Sequence, residues 1–90
     1  MTPRVAVLDD ERRMADVVAM LLRREGYDVE AFVEPDALLR ALAEEPFDCL
    51  VSDLRMPGKD GLEVLRRARA LEPDLPVILM TAHGTVRSAL

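Results

Sequence analysis

Residues 49–61 read CLVSDLRMPGKDG, an apolar run that ends in Asp53 and is followed by a Met-Pro-Gly segment. Short apolar runs are typical of buried strands, and Pro with Gly marks the turn that ends such a strand. A second apolar run, residues 4–9, leads into an Asp-Asp-Glu sequence at residues 9–11. If both runs are neighbouring parallel strands, their carboxylates meet at one edge of the sheet, where open α/β folds bind ligands.

The rest of the chain alternates between strand and helix patterns. Strands are predicted at residues 4–9, 27–33, 48–53 and 76–81. Apolar residues at helical spacing predict helices over Glu11–Glu25, from Pro35 to about Pro46, from Gly61 to just before Pro73, and from about Gly84. Strict alternation of strands and helices implies right-handed crossovers, and therefore an α/β fold with a parallel sheet that is covered on both faces.

The fourth predicted strand, residues 76–81, raises a problem of pairing. It is apolar on both faces, as an interior strand should be, yet the chain ends at Leu90 inside the first turns of the next helix. We therefore expect the outer side of this strand to be unpaired. The first explanation is a sequence cut from a longer protein. The second is a homodimer formed by exchange of the last helix, because an unpaired apolar edge promotes association.

Composition limits the classes of function. A chain of 90 residues makes one domain, and its net charge of −5 disfavours non-specific binding to nucleic acid or to an anionic membrane. Arginine pairs at 12/13, 23/24 and 66/67 fall on predicted helices, where a solvated face is the favoured interpretation. The single Cys49 is expected to be an inert core residue. Neither a membrane-spanning stretch nor a signal peptide is apparent, so we expect a cytoplasmic protein.

Converging carboxylates need a cation. Two carboxylates about 4 Å apart repel by roughly 4 kcal/mol at an effective dielectric constant near 20. Mg²⁺ accepts carboxylate, backbone carbonyl and water ligands, and it would neutralise charge on a phosphoryl group transferred to Asp53. Each residue alone has a simpler interpretation, because Asp9 or Asp10 could cap the first helix and Asp53 could start a turn. Their joint occurrence at the ends of two strands favours a site.

Two further residues lie at the end of the fourth predicted strand, Thr81, and just after it, His83. Thr81 would present its hydroxyl to the same crevice, where it could bond a phosphoryl oxygen on Asp53. The simpler interpretation of Thr81 is the ordinary preference of threonine for strands. His83 is expected on an exposed loop, and the case for it as a general acid or base is minor.

Together, residues 8–11, residues 53–61 and the Met-Thr-Ala-His-Gly segment at residues 80–84 resemble the receiver domain of two-component response regulators. The similarity covers essentially the whole chain, and the last segment is most similar to regulators of nitrogen-control or nodulation type. The resemblance implies a flavodoxin-like parallel sheet with strand order 2-1-3-4, here without the usual fifth strand and helix. Residues 1–90 would be one receiver domain that is incomplete at its C-terminal end, without the lysine of the family's Lys-Pro strand end.

The resemblance also implies a role for each site residue. Asp53 would be the phosphoacceptor for a phosphoryl group from a sensor histidine kinase. Asp10 would bind Mg²⁺ directly and Asp9 mainly through water, with Asp53 and the backbone carbonyl of Arg55 as further ligands. Thr81 would be the switch hydroxyl that turns toward the phosphate and biases its loop and the surface of a fourth helix.

Such a protein is not an enzyme, beyond catalysing its own phosphorylation and dephosphorylation. The resemblance implies an output or DNA-binding domain in the missing C-terminal part, with a role in transcription. From the segment itself, neither membrane association nor direct nucleic-acid contact is expected.

Two other functions stay open at this point. A Mg²⁺-dependent phosphatase with an aspartyl nucleophile also needs clustered carboxylates, but such enzymes typically carry a second aspartate two residues after the first. Here the residue two after Asp9 is Glu11. The other alternative is a pseudo-receiver that binds partners without being phosphorylated, and failure of Mg²⁺ to raise the melting temperature would indicate it.

Overall fold

The first five elements alternate between strand and helix, as the sequence pattern predicts, and two short strands then precede the third helix. The computed structural model describes residues 2–53, 55–56, 59–80 and 86–89. In chain order the elements are β1 (Arg4–Leu8), α1 (Arg12–Arg24), β2 (Asp28–Phe32), α2 (Pro35–Glu44), β3 (Cys49–Asp53), β4 (Arg55–Met56), β5 (Lys59–Asp60), α3 (Gly61–Leu71), β6 (Val77–Met80) and β7 (Val86–Ala89). Within these ranges, no helix is long and apolar enough to cross a membrane.

Four strands form the parallel part of the main sheet, in the order β2-β1-β3-β6. Val5 of β1 pairs with Val29 of β2 on one side and with Cys49 of β3 on the other, and Leu50 of β3 pairs with Val77 of β6. This order confirms the predicted flavodoxin-like arrangement 2-1-3-4. The described residues contain no fifth parallel strand.

The C-terminal segment differs from the prediction. A helix is expected from about Gly84, a residue outside the described ranges, but Val86–Ala89 form β7, which pairs antiparallel with β6. The expectation that the outer side of β6 is unpaired is therefore wrong. Backbone groups of an open strand edge gain hydrogen bonds from an extended segment within reach, whereas a short isolated helix is only marginally stable in water.

The core lies on both faces of the sheet. On one face, α2 and α3 cover the sheet through buried residues such as Leu38 and Val64, which belong to the same cluster as Leu8. On the other face, α1 packs Ala19 against a smaller cluster that includes Val7 and is completed by further valines of β1, β2 and β3. The predicted coverage of both faces is confirmed.

The buried face of α3 is displaced from the predicted one. Helical spacing of the apolar residues predicts that Leu62, Leu65 and Ala68 face inward; Ala68 is buried, but Leu62 is 55% exposed. The fully buried positions of α3 are Gly61, Val64 and Ala68, at spacings of three and four residues. Leu62 lies two residues before Val64, roughly 200° around the helix, so it faces solvent.

On α1 the apolar stripe is only partly buried. The buried residues of the helix are the small Ala15 and Ala19, and Ala19 packs against valines of the sheet. Met14, Val17 and Leu21 share the helical apolar pattern, yet they are between 41 and 51% exposed. The pattern predicted the helix correctly but did not identify its most buried side.

Gly26 follows α1 and lies directly after the helix predicted over Glu11–Glu25. Its φ of +96° lies in the left-handed region, which glycine adopts without steric cost. The N–H of Gly26 donates to the carbonyl of Arg23 at 3.0 Å, and the N–H of Tyr27 donates to that of Leu22 at 3.3 Å. These two bonds form a Schellman motif, which satisfies carbonyls at the helix end and turns the chain into β2.

Candidate functional site

Three aspartates converge at the carboxyl ends of β1 and β3. Asp9 and Asp10 follow β1, and Asp53 is the last residue of β3, its parallel neighbour. One carboxylate oxygen of each lies within 4.8 Å of the others. The predicted convergence is therefore observed, and we call these three residues the aspartate cluster.

Asp9 is the most buried member of the aspartate cluster. It is only 4% exposed, and its Oδ1 accepts a hydrogen bond from the N–H of Glu11 at 2.9 Å. Its own N–H donates to the carbonyl of Phe32 at 3.1 Å, which ties it to the end of β2. Glu11 is the N-cap residue of α1 and makes no side-chain cap hydrogen bond. The N-cap is thus neither Asp9 nor Asp10, so the expectation that one of them caps the helix is not confirmed. The bond from the N–H of Glu11 instead fixes the carboxylate of Asp9 in a turn just before the helix.

The charge on Asp9 is electrostatically unfavourable. Burial raises the pKa of this carboxyl, and the negative charges of Asp53, Asp10 and Glu11 raise it further, while the hydrogen bond from the N–H of Glu11 opposes these effects. Burial and like charges both disfavour a carboxylate. The attraction of a cation beside the cluster would offset both effects.

The donor atoms of the aspartate cluster fit a hard divalent cation. Carboxylate oxygens on two adjacent strands are the ligands that Mg²⁺ and Ca²⁺ select. Arg55, whose carbonyl the sequence predicts as a further ligand, lies in β4, two residues after Asp53. The strand β4 pairs antiparallel with β5, with Arg55 opposite Asp60. The roles of Asp9, Asp10, Asp53 and Arg55 as metal ligands stay predictions.

Thr81 and His83 lie outside the described residues. The proposed position of the Thr81 hydroxyl at the crevice and the exposed position of His83 therefore stay predictions. Both follow Met80, which ends β6 and pairs with Asp53 in the sheet.

Ser52 was not identified from the sequence. It is 3% exposed, and its hydroxyl donates to the backbone carbonyl of Asp53 at 3.3 Å. This bond holds the end of β3 immediately before the carboxylate. The available signal was a polar residue inside an otherwise apolar strand run, a pattern that marks a buried hydrogen-bonding group.

Comparison with known proteins gives a family and several relatives. The family model of the response regulator receiver domain matches residues 5–90. Over 86 residues, 96% of this chain, it is 42% identical to the transcriptional regulatory protein FixJ of Bradyrhizobium diazoefficiens, of which it covers 42%. It is 41% identical to the DNA-binding transcriptional regulator NtrC of Proteus hauseri over 96% of this chain and 18% of NtrC. The chain therefore spans less than half the length of these relatives.

Solved structures share the fold. The response regulator protein TrrA of Thermotoga maritima, in complex with Mg²⁺ and BeF, superposes with a TM-score of 0.82 at 31% identity, over 90% of this chain and 70% of TrrA. TrrA in complex with the histidine kinase ThkA superposes with a TM-score of 0.83 at 30% identity, over 99% of this chain and 77% of that one.

Proposed function

The chain belongs to the response regulator receiver domain family, and we propose that residues 1–90 act as the phosphoryl-accepting part of a two-component regulator, with Asp53 as the phosphoacceptor. Receiver domains of this family are signalling modules rather than metabolic enzymes. The observation that supports the proposal most is the aspartate cluster, whose carboxylate oxygens lie within 4.8 Å of one another.

In the proposed reaction, a carboxylate oxygen of Asp53 attacks the phosphorus of a phosphohistidine on a sensor kinase. The oxygen–phosphorus bond forms as the phosphorus–nitrogen bond breaks, and the histidine nitrogen keeps the electron pair and takes a proton from solvent. The product is an aspartyl phosphate, an acyl phosphate of the kind that carboxylate nucleophiles form. The histidine kinase complex of TrrA supports this class of donor.

We propose Mg²⁺ as the ion, held by Asp9, Asp10, Asp53 and the backbone carbonyl of Arg55. When bound, it would supply positive charge to the phosphoryl oxygens during transfer. The chain itself would hold the carboxylates in position. Asp9 is fixed by its bonds to Glu11 and Phe32, and Ser52 holds the backbone of Asp53, so the carboxylates meet a ligand without large rearrangement.

We propose that the charge of the phosphoryl group changes the conformation of the segment that follows β6. Phosphorylation adds about −1.5 to −2 charge, and the hydroxyl of Thr81 would donate to a phosphoryl oxygen and so bias the segment that follows β6. Because FixJ and NtrC are transcriptional regulators, we propose that this bias controls an output domain in transcription. A fourth helix is no longer part of this proposal, since residues 86–89 form β7.

Mass spectrometry after incubation with Mg²⁺ and acetyl phosphate tests the assignment. We expect a single added phosphate, lost in Asp53→Asn and in the presence of EDTA. Asp48→Asn is the matched control, because Asp48 precedes the opposite end of the same strand. Labelling that persists in Asp53→Asn would contradict the phosphoacceptor role. Absence of any label would favour the pseudo-receiver, and repeated turnover of a phosphomonoester would favour the phosphatase.

A further inference from the structure

The strand β2 lies at one end of the main sheet, so one of its sides is an open edge. The sheet order is β2-β1-β3-β6-β7. β1 pairs with β2 on one side, and within the part of the chain that the structure describes no strand pairs with the other. A row of unpaired backbone donors and acceptors can pair with a strand of another chain. Contacts that cover this edge therefore affect whether the protein associates.

Hydrogen bonds to β1 show which backbone groups of β2 face outward. The N–H of Asp28 donates to the carbonyl of Pro3, just before β1, at 3.0 Å. Backbone groups of successive residues in a strand point to opposite sides, so Asp28 and every second residue after it face β1. The N–H and carbonyl groups of Val29 and Ala31 therefore face outward and form the open edge.

Arg23, in the last turn of α1, covers one of these outward groups. Its Nη2 donates to the carbonyl of Val29 at 2.7 Å, a short distance that is typical of a charged donor. The side chain of Val29 is buried in the cluster between α1 and the sheet, which fixes the strand at this point. A strand from another chain would need the carbonyl of Val29 as an acceptor, so it would have to displace the guanidinium of Arg23.

A second copy of the chain would match the open edge, because the edge is self-complementary. Two copies of β2 related by a twofold axis at Glu30 would run antiparallel, with Val29 of each copy opposite Ala31 of the other. Each such pair would exchange two N–H to carbonyl bonds, so all outward groups of both residues would be bonded. In this arrangement the two copies of Glu30 would lie directly opposite each other, and like charges so placed are destabilising.

We propose that Arg23 prevents two copies of the chain from joining through the outer edges of β2. Joining would break the bond between Arg23 and Val29 in each copy. A hydrogen bond from a charged group contributes enough for its loss to change an association constant about tenfold. The repulsion between the two copies of Glu30 is the smaller effect, because its carboxylate also lies 3.3 Å from the guanidinium of Arg4.

A simpler role for Arg23 is to tie the end of α1 to β2. Loss of such a tie would lower the melting temperature but would leave the association constant unchanged. The proposal involves neither the aspartate cluster nor phosphorylation of Asp53, so its failure would leave the phosphoacceptor assignment untouched.

Sedimentation equilibrium of the full chain over a concentration series tests the proposal. We expect the association constant of Arg23→Met to exceed that of the wild type by about tenfold to a hundredfold, for one or two bonds that no longer need to break. Arg23→Lys keeps a cationic donor and should behave as the wild type does. The matched control is Arg24→Met, which removes the same charge from the same turn. No hydrogen bond or ion pair of Arg24 is found among the described residues, so this variant should also associate as the wild type does.

Amide hydrogen exchange locates the contact. In Arg23→Met the N–H groups of Val29 and Ala31 should exchange more slowly as the protein concentration rises, because both become bonded in the pair. If circular dichroism shows that Arg23→Met does not fold, Arg23→Gln carries the same expectation, since its shorter, uncharged side chain does not reach the edge.

Three results would overturn the proposal. The first is a folded Arg23→Met protein that associates no more tightly than the wild type. The second is an equal gain in Arg24→Met, which would indicate a general effect of lost charge. The third is association without slower exchange at Val29 and Ala31, which would place the contact on another surface.

Discussion

Carboxylates gather at both edges of the parallel sheet, and the two edges differ in the charges around them. At the amino edge, where the parallel strands begin, Arg4 stands among the carboxylates of Glu45 at 2.9 Å, Asp28 at 3.3 Å and Glu30 at 3.3 Å. At the carboxyl edge, where they end, lies the aspartate cluster of Asp9, Asp10 and Asp53.

The pKa directions show what this difference means. The hydrogen bond from Arg4 to Glu45 is the main cause that raises the pKa of Arg4, so the charged guanidinium is favoured. At the carboxyl edge, burial and like charges raise the pKa of Asp9, so its charged form is disfavoured. The amino edge contains a cation of its own, Arg4, whereas the carboxyl edge would gain stability from an added cation.

The largest expected effect is stabilisation of the carboxyl edge by Mg²⁺. At ten times its dissociation constant, a ligand specific to the folded state adds about 1.4 kcal/mol, which is roughly 6–11 °C of melting temperature for a domain of this size. Thermal melting with MgCl₂, against KCl at equal ionic strength, measures this shift. Asp10→Asn should remove most of it, while Arg4→Met at the amino edge should keep it. An undiminished shift in Asp10→Asn would refute the site.

Without Mg²⁺, Asp9→Asn should stabilise the protein. Asparagine keeps the Oδ1 acceptor for the N–H of Glu11 but removes a buried charge that faces two other carboxylates. The free energy of unfolding should rise by about 1 kcal/mol, the scale of one charge–charge interaction in a well-hydrated setting. Urea denaturation measures the change, with Asp16→Asn on the exposed side of α1 as control. A less stable Asp9→Asn protein would mean that the cluster is not under electrostatic strain.

Removing the central cation of the amino edge should have the opposite sign. Arg4→Met keeps an aliphatic stem near Phe47, whose ring centre lies 4.5 Å from the guanidinium carbon, but leaves three carboxylates without their shared partner. We expect the melting temperature to fall by a few degrees at low salt. The loss should shrink at about 1 M NaCl, where the screening length is about 3 Å.

Arg66→Met provides the control for Arg4→Met. Arg66 also contacts a carboxylate, that of Glu63 at 2.8 Å, but its side chain is 77% exposed. Surface pairs of this kind contribute little, so the control should melt close to the wild type. Equal losses in the two variants would show that the amino edge is no more than a set of ordinary surface pairs.

The smallest effect concerns Cys49, at the amino end of β3. Burial is the main cause that raises the pKa of its thiol, and the charge of Asp48 adds to it. Its neutral form is therefore favoured in the folded state, and the corresponding stability is present at neutral pH and is lost as pH rises through the folded-state pKa. The rate of alkylation by iodoacetamide should rise with pH along a curve displaced above that of a free cysteine. Asp48→Asn should move this curve down only slightly, and a large movement would mean that charge outweighs burial.

The aspartate cluster could be predicted because its signals are local. Asp9 and Asp53 each end an apolar run, and the direction of parallel strands then dictates that they meet. The helix end at Gly26 has a similarly local signal. The role of Ser52 could not be predicted, because a single polar residue in a strand does not show which backbone group its hydroxyl will bond.

The C-terminal segment could not be predicted, because its structure depends on distant residues. Val86–Ala89 pair with the outer side of β6, and a segment of four residues is too short for its own apolar pattern to predict this pairing. The strands β4 and β5 have two residues each, which is also too short for an apolar pattern to predict them. Leu62 and Val17 illustrate a further limit: an apolar pattern predicts a helix, but the neighbouring strands and helices determine which of its sides is covered.

Glycine is favoured at a turn either because a Cβ would be crowded or because the backbone is left-handed, and at Gly26 only the second reason applies. A Cβ built at Gly26 would meet no atom within 4 Å, so crowding plays no part in the choice of residue, and only the handedness of the backbone does. Asparagine visits left-handed conformations more readily than alanine does. The bulkier side chain is therefore the better tolerated of the two at this turn, contrary to what size alone would suggest.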